Sequence, residues 1–251
     1  MPDLKYANGN NGEEAEKAAS SVFAFGKERR EKRLSEDYFD ARVLSARAYN
    51  AILIGTVLWG LLLSTALVTL FGSAFSAMNP LVLIIIYFVV AIGGILISAG
   101  SKNPGISFLG FNMVAAAFSM IISTAVTQYL EQDASVVLNA FLYTMLISVG
   151  MLGASLVFPQ FFAKIGGMLL GVLTGLVLCE LILLIFGVRQ NATDWVAAGL
   201  FSLYIGYDTY RSQQFTKTAD NAVDCAVDIY MDIANLFIRL LRILAKAKSN
   251  D

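Results

Sequence analysis

Long hydrophobic runs separated by short polar breaks fill the chain from Ala48 to Leu244, and their lengths predict seven helices. No charged residue occurs between Ala48 and Ser101, which is room for two spans of ~20 residues each. Met78-Asn79-Pro80 interrupts that run, because proline disfavours helix in the residue before it. The first helix is therefore expected near 47–72 and the second near 81–100, with Lys102-Asn103-Pro104-Gly105 as the following turn. A third is expected near 106–129, before Glu131 and Asp133, and a fourth near 135–157, closed by Pro159 and Lys164. The fifth, near 165–187, carries Gly167, Gly171 and Gly175, small residues at every fourth position that let another helix approach closely. The sixth is expected near 195–211 and the seventh at 222–244.

The seventh run is unlike the others. It is long enough to cross a bilayer, yet it holds Asp224, Asp228, Asp232, Asn235, Arg239 and Arg242. At ~100° per residue these six fall within an arc of about 80°, opposite a face of Ile, Leu, Val, Ala and Phe. Each ionised group left in hydrocarbon would cost roughly 2.5–3.5 kcal/mol. Such a helix is stable only when its polar stripe faces partners or water inside a bundle.

Composition agrees with a membrane protein. The 251 residues are 57% hydrophobic and 15% charged, with a mean hydropathy of +0.66. Residues 1–47 hold nine Lys/Arg and nine Asp/Glu, close to half of all the charge. Residues 1–40, with NGNNG and KERREKR, read as a disordered cytoplasmic tail, and residues 41–247 as the helical bundle. No basic excess points to nucleic acid. Cys179 and Cys225 sit in apolar runs as core thiols, and with no histidine and no CxxC a zinc, haem or iron–sulfur cofactor is not expected. No cleavable signal peptide is visible, and the first apolar run should act as an uncleaved anchor. Glu180 is an isolated acid in an apolar run, read as a neutral side chain hydrogen-bonded to a neighbouring helix, with an ion path as the alternative. Arg42, Arg47, Lys102, Lys164, Arg211 and Lys217 flank one set of helix ends and only Arg189 the other, so the N-terminus is expected to be cytoplasmic. Lys246 and Lys248 then stand on the wrong side of that rule.

Two motifs carry the chemistry. Phe201 to Asp208 reads FSLYIGYD in the sixth helix, and Ile229 to Arg242 reads IYMDIANLFIRLLR in the seventh. Asp208 near the end of one and Asp232 some ten residues into the other are placed to meet between the membrane surface and its midplane. These stretches closely resemble the Bax-inhibitor-like (transmembrane Bax inhibitor motif) family, especially its bacterial members, with patterns similar to FSLYxxYD and LYLDxxNLFxxLLR. The likeness covers residues from about 42 to 247 and is specific in the two motifs, and the tail lies outside it. It implies an all-α bundle of seven membrane helices, the C-terminal one central with two groups of three around it. It also implies a pH-sensitive calcium leak, not an enzyme, in which Asp208 and Asp232 sense protons. Physical chemistry is compatible: two carboxylates in contact cannot both ionise cheaply, so they share a proton at one pH and repel at another. Fully ionised, they form a hard-oxygen site that attracts a divalent cation such as Ca²⁺, the expected transported ion.

The chain departs from the bacterial proteins it resembles at the end of the second helix. An arginine cluster there can pair with the helix-six aspartate, but this chain reads Ser98-Ala99-Gly100-Ser101-Lys102, leaving Lys102 as a flexible point charge. Asp228, Asn235, Arg239 and Arg242 support the stripe, and Arg239 is placed to neutralise Asp232 in part. A plainer reading makes the stripe a structural polar network that locks the bundle. Partners are expected to be the lipid bilayer, Ca²⁺ and protons. The alternative function is a membrane-embedded regulator that binds another membrane protein, such as a quality-control protease. A carrier for organic cations is disfavoured because no hydrophobic segment has an interior proline. An intramembrane aspartyl protease is disfavoured because no GxGD-type sequence follows. A bacterial inner membrane is the expected location.

Overall fold

A computed structural model describes residues 43–130, 133–186 and 191–249, so the expected tail over 1–40 lies outside the described residues. Among the described residues there are seven helices and no strand. They are α1 (Ala46–Ser76), α2 (Pro80–Gly100), α3 (Pro104–Leu130), α4 (Ala134–Val157), α5 (Pro159–Ile185), α6 (Asn191–Ser212) and α7 (Ala219–Ser249).

Local chemistry sets most of the starts. Ser45 caps α1 by accepting from Ala48 N, Asn79 caps α2 through Leu81 N with Pro80 at the first helical position, and Asp133 caps α4 through Ser135 N. Thr218 Oγ1 accepts from Asn221 N at 3.1 Å and opens α7. The fourth helix ends at Val157, before Pro159, as expected, but Pro159 is a start as well as a stop. Only Phe158 separates α4 from α5, and Pro159 starts α5, where a missing N–H costs nothing. Lys164 accordingly sits inside α5, not in a loop.

α1 and α2 both pack on α3, α4 and α5 both pack on α6, and α3 touches α4. α7 packs against α1, α2, α3, α4 and α6. It buries apolar and polar residues alike, Val227, Leu236 and Leu241 together with Asp220, Asn221 and Asp224. The outside is the reverse of a soluble surface: Leu62, Leu70, Ile85, Val89, Leu146 and Leu156 stand exposed. Of the two thiols expected in the core, Cys225 is buried, but Cys179 is exposed on the outer face of α5. An apolar run in a membrane helix has a lipid side as well as a core side, and the run alone does not distinguish them. α1 to α5 are long and apolar enough to cross a membrane. The protein is a multi-pass membrane protein. α6 and α7, of 22 and 31 residues, have the length but are more polar, as expected of helices shielded from lipid by others.

α5 and α6 meet over two glycines. The Tyr207 ring covers Gly166, where a Cβ would come within 2.5 Å of it, and Phe162 covers Gly206 in return. The Gly167, Gly171, Gly175 groove takes no helix among the described residues. It faces outward, and a methyl group added at any of the three would meet no atom within 4 Å.

Candidate functional site

α7 carries four aspartates one turn apart, Asp220, Asp224, Asp228 and Asp232, and the bundle handles each differently. Asp220 and Asp224 are buried. Ser107 Oγ of α3 donates to Asp220 Oδ1 at 2.5 Å, and Ser98 Oγ of α2 donates to Asp224 Oδ1. Ser107 Oγ also lies 3.2 Å from Ser98 O, so the close crossing of α2 and α3 aims both hydroxyls at α7. Asp232, the last of the row, is buried with the carboxyls of Asp208 on α6 and Asp228 of its own helix as its acidic neighbours. Its Oδ2 is buried and finds no hydrogen-bond partner among the described residues. The two sequence-predicted acids therefore come together across α6 and α7.

The rest of the FSLYIGYD and IYMDIANLF motifs builds the seat of that contact. Tyr204 lies beside both carboxylates, and Tyr207 seats α6 on Gly166. Tyr230 is fully buried and its hydroxyl meets Ser64 Oγ of α1 at 2.6 Å, which fixes the rotation of α7. Asn235 Nδ2 donates to Met231 O of its own helix and makes no cross-helix bond among the described residues. Arg211, one turn after Asp208, approaches it at 3.8 Å and lies over the Phe215 ring. Lys102 is exposed in the linker between α2 and α3.

Arg239 does not neutralise Asp232. Two turns separate them, ~10 Å along the axis, and the guanidinium reaches sideways instead. It makes a bidentate pair with Glu180 of α5, Nη1 to Oε1 at 2.5 Å and Nη2 to Oε2 at 2.9 Å, and a third bond to Asp194 Oδ1 of α6 at 3.1 Å. Glu180 is thus held by a cation, not as an isolated neutral acid, because a planar fork matches a carboxylate edge to edge. Asp194, only 1% exposed, also receives Lys246 at 2.6 Å and Arg242 at 3.7 Å. Lys248 pairs with Asp133. The two lysines that broke the charge rule are therefore engaged with acids at that end.

The arc of polar residues thus serves two separate sets of partners. Asp194, Ser98, Ser107 and Asp220 were missed in sequence. The four-residue spacing pointed to Asp220, but nothing local marked the serines. Among the described residues no three His, Cys, Asp or Glu side chains gather to hold a metal ion.

A family model described as Inhibitor of apoptosis-promoting Bax1 matches residues 45–250. The chain belongs to the Bax inhibitor family. The matched residues take in α1 through α7, so both acids of the contact fall within the family region. Among its relatives, this Bax inhibitor family chain is 39% identical to an uncharacterized protein of Helicobacter pylori over 92 residues, 36% of the chain and 39% of that protein. It is 32% identical to Protein lifeguard 4 of Mus musculus over 130 residues, 50% of the chain and 52% of the relative. With Bax inhibitor 1 of Schizosaccharomyces pombe it shares 28% over 180 residues, 69% of the chain and 65% of the relative. The match thus spans between about two fifths and two thirds of these relatives' lengths.

Proposed function

We propose that the protein is a pH-sensitive cation leak in a bacterial inner membrane, with its N-terminus cytoplasmic, Ca²⁺ as cargo and no enzymatic step. The observation that carries this reading is the approach of Asp208 and Asp232 on the two most polar of the helices. One proton between the two carboxylates holds α6 against α7. Loss of that proton leaves two like charges in a poorly solvated place, which drives the helices apart and offers oxygen ligands to a divalent cation. Arg211 and Asp228 flank the pair and tune the pH at which this happens. Calcium flux into proteoliposomes, followed across pH 5 to 8, tests it. The wild type should respond to pH, and the Asp208→Ala, Asp232→Ala double variant should give a flat profile. Identical profiles would remove the pair from the mechanism.

A second reading, a regulator that docks on another membrane protein such as a quality-control protease, is favoured by one feature. The Gly167, Gly171, Gly175 groove of α5 is open to the outside, the kind of surface on which a second membrane helix packs. A cross-linked partner lost in Gly171→Leu while flux persists would favour this reading over the leak.

A further inference from the structure

α1 and α4 both pack on α7 but make little contact with each other. Between them lies a cavity of about 450 Å³, inside the ~300–1,000 Å³ range of small-molecule sites. Its inner end is the hydrogen-bonded pair of Ser64 and Tyr230, and its outer end is Leu130 and Ala134, where α3 gives way to α4. The threonines on its walls have their hydroxyls engaged: Thr65 donates to Leu61 O, Thr69 to Thr65 O and Thr144 to Ala140 O, at 2.7–2.8 Å. Among the described residues no charged side chain lines it. A space so lined holds neither a polar solute nor a chain of water, and takes hydrocarbon.

Its length says which hydrocarbon. On α3 the lining runs from Ile122 to Leu130 and on α4 from Ala134 to Met145, about 12 and 17 Å at helical rise. That is about half of a ~30 Å bilayer core, the depth of one leaflet. The side of the cavity is open to the outside, since Leu138 and Phe141 of its lining are themselves exposed. Just beyond its outer end, Lys248 pairs with Asp133 and donates to Ser135 Oγ at 3.2 Å, with both ionic groups reaching solvent. A cation and a carboxylate side by side complement a headgroup that carries a phosphate and an ammonium.

We propose that this cavity is a site for one phospholipid with an amine-bearing zwitterionic headgroup. One acyl chain lies against α7 up to Tyr230, the phosphate meets Lys248 and the ammonium meets Asp133. Occupancy would place lipid against Ile233, the neighbour of Asp232 in the chain, but the site stands whether or not the protein conducts calcium.

Native mass spectrometry of the full chain in detergent tests this, with added phosphatidylethanolamine or phosphatidylglycerol of identical chains. The expected result is a single phosphatidylethanolamine adduct that saturates at one per protein. Thr65→Phe and Thr69→Phe, both on the outward side of α1 and each checked by thermal unfolding, should each reduce it at least tenfold. Lys248→Ala and Asp133→Asn should each weaken it severalfold and erase the preference over phosphatidylglycerol. Absence of a stoichiometric adduct, or indifference to both Phe variants, overturns the cavity. Equal retention of the two lipids by the wild type overturns the headgroup assignment.

Discussion

The two halves of α7 carry similar amounts of charge and treat it in opposite ways. From Asp220 to Asp232 the charges are all negative, two of them held by serine hydroxyls and one set beside another aspartate. From Arg239 to Lys248 they are all positive, and Glu180, Asp194 and Asp133 answer them with direct ion pairs. Opposite charges in contact attract, so the C-terminal half is a clamp that ties α5, α6 and α7 together. Like charges in contact depend on protons, so under the proposed function the N-terminal half is the part that would change state with the medium. One amphipathic helix thus combines a fixed end and a labile end, about 46 Å apart at its extremes.

The sharpest way to break this contrast is Arg239→Ala. Removing this cation takes the bidentate partner from Glu180 and one of three cations from Asp194, and should cost about 3–5 kcal/mol, read as a lowered midpoint of thermal unfolding in detergent. Arg239→Lys should recover part of that loss, since it keeps the charge and gives up the fork. A loss below ~1 kcal/mol for the alanine would make the clamp no stronger than a surface pair. Next in size, Ser98→Ala and Ser107→Ala should each cost about 1–3 kcal/mol in the same assay, because a buried carboxylate loses its donor. Thr at either position should restore much of it. Lys248→Ala, at a pair with 53% of the lysine side chain exposed, should cost under ~1 kcal/mol. Smallest of all, Gly171→Ala should shift stability by no more than ~0.5 kcal/mol, since open space lies over it.

Much of this was legible in the sequence. Uninterrupted apolar runs and proline breaks gave all seven helices, with ends displaced by up to six residues where a proline that looked like a stop was also a start, as at Pro159. Asp208 and Asp232 were singled out by the two motifs that resemble the Bax-inhibitor-like family, and the cost of an acid in an apolar helix agrees with that choice. The partners of Arg239 were not legible. Periodicity places a residue on a face but does not say which neighbour that face meets, and a long guanidinium stem reaches past its own turn. Ser98 and Ser107 were hidden for a related reason: a serine in a membrane helix usually bonds its own carbonyl, as Ser119 and Ser123 do. Only the crossing of α2 and α3 turns these two towards Asp220 and Asp224.

The claim on which the contrast rests is that Asp208 and Asp232 hold one proton between them, as the proposed function requires. Infrared spectra of the full chain in lipid bilayers at neutral pH test it directly, through the carbonyl stretch of a protonated carboxyl group. The account predicts a band in the wild type that disappears in Asp208→Asn and in Asp232→Asn alike and survives in Glu180→Gln. No protonated band, or one that persists in both aspartate variants, would contradict it.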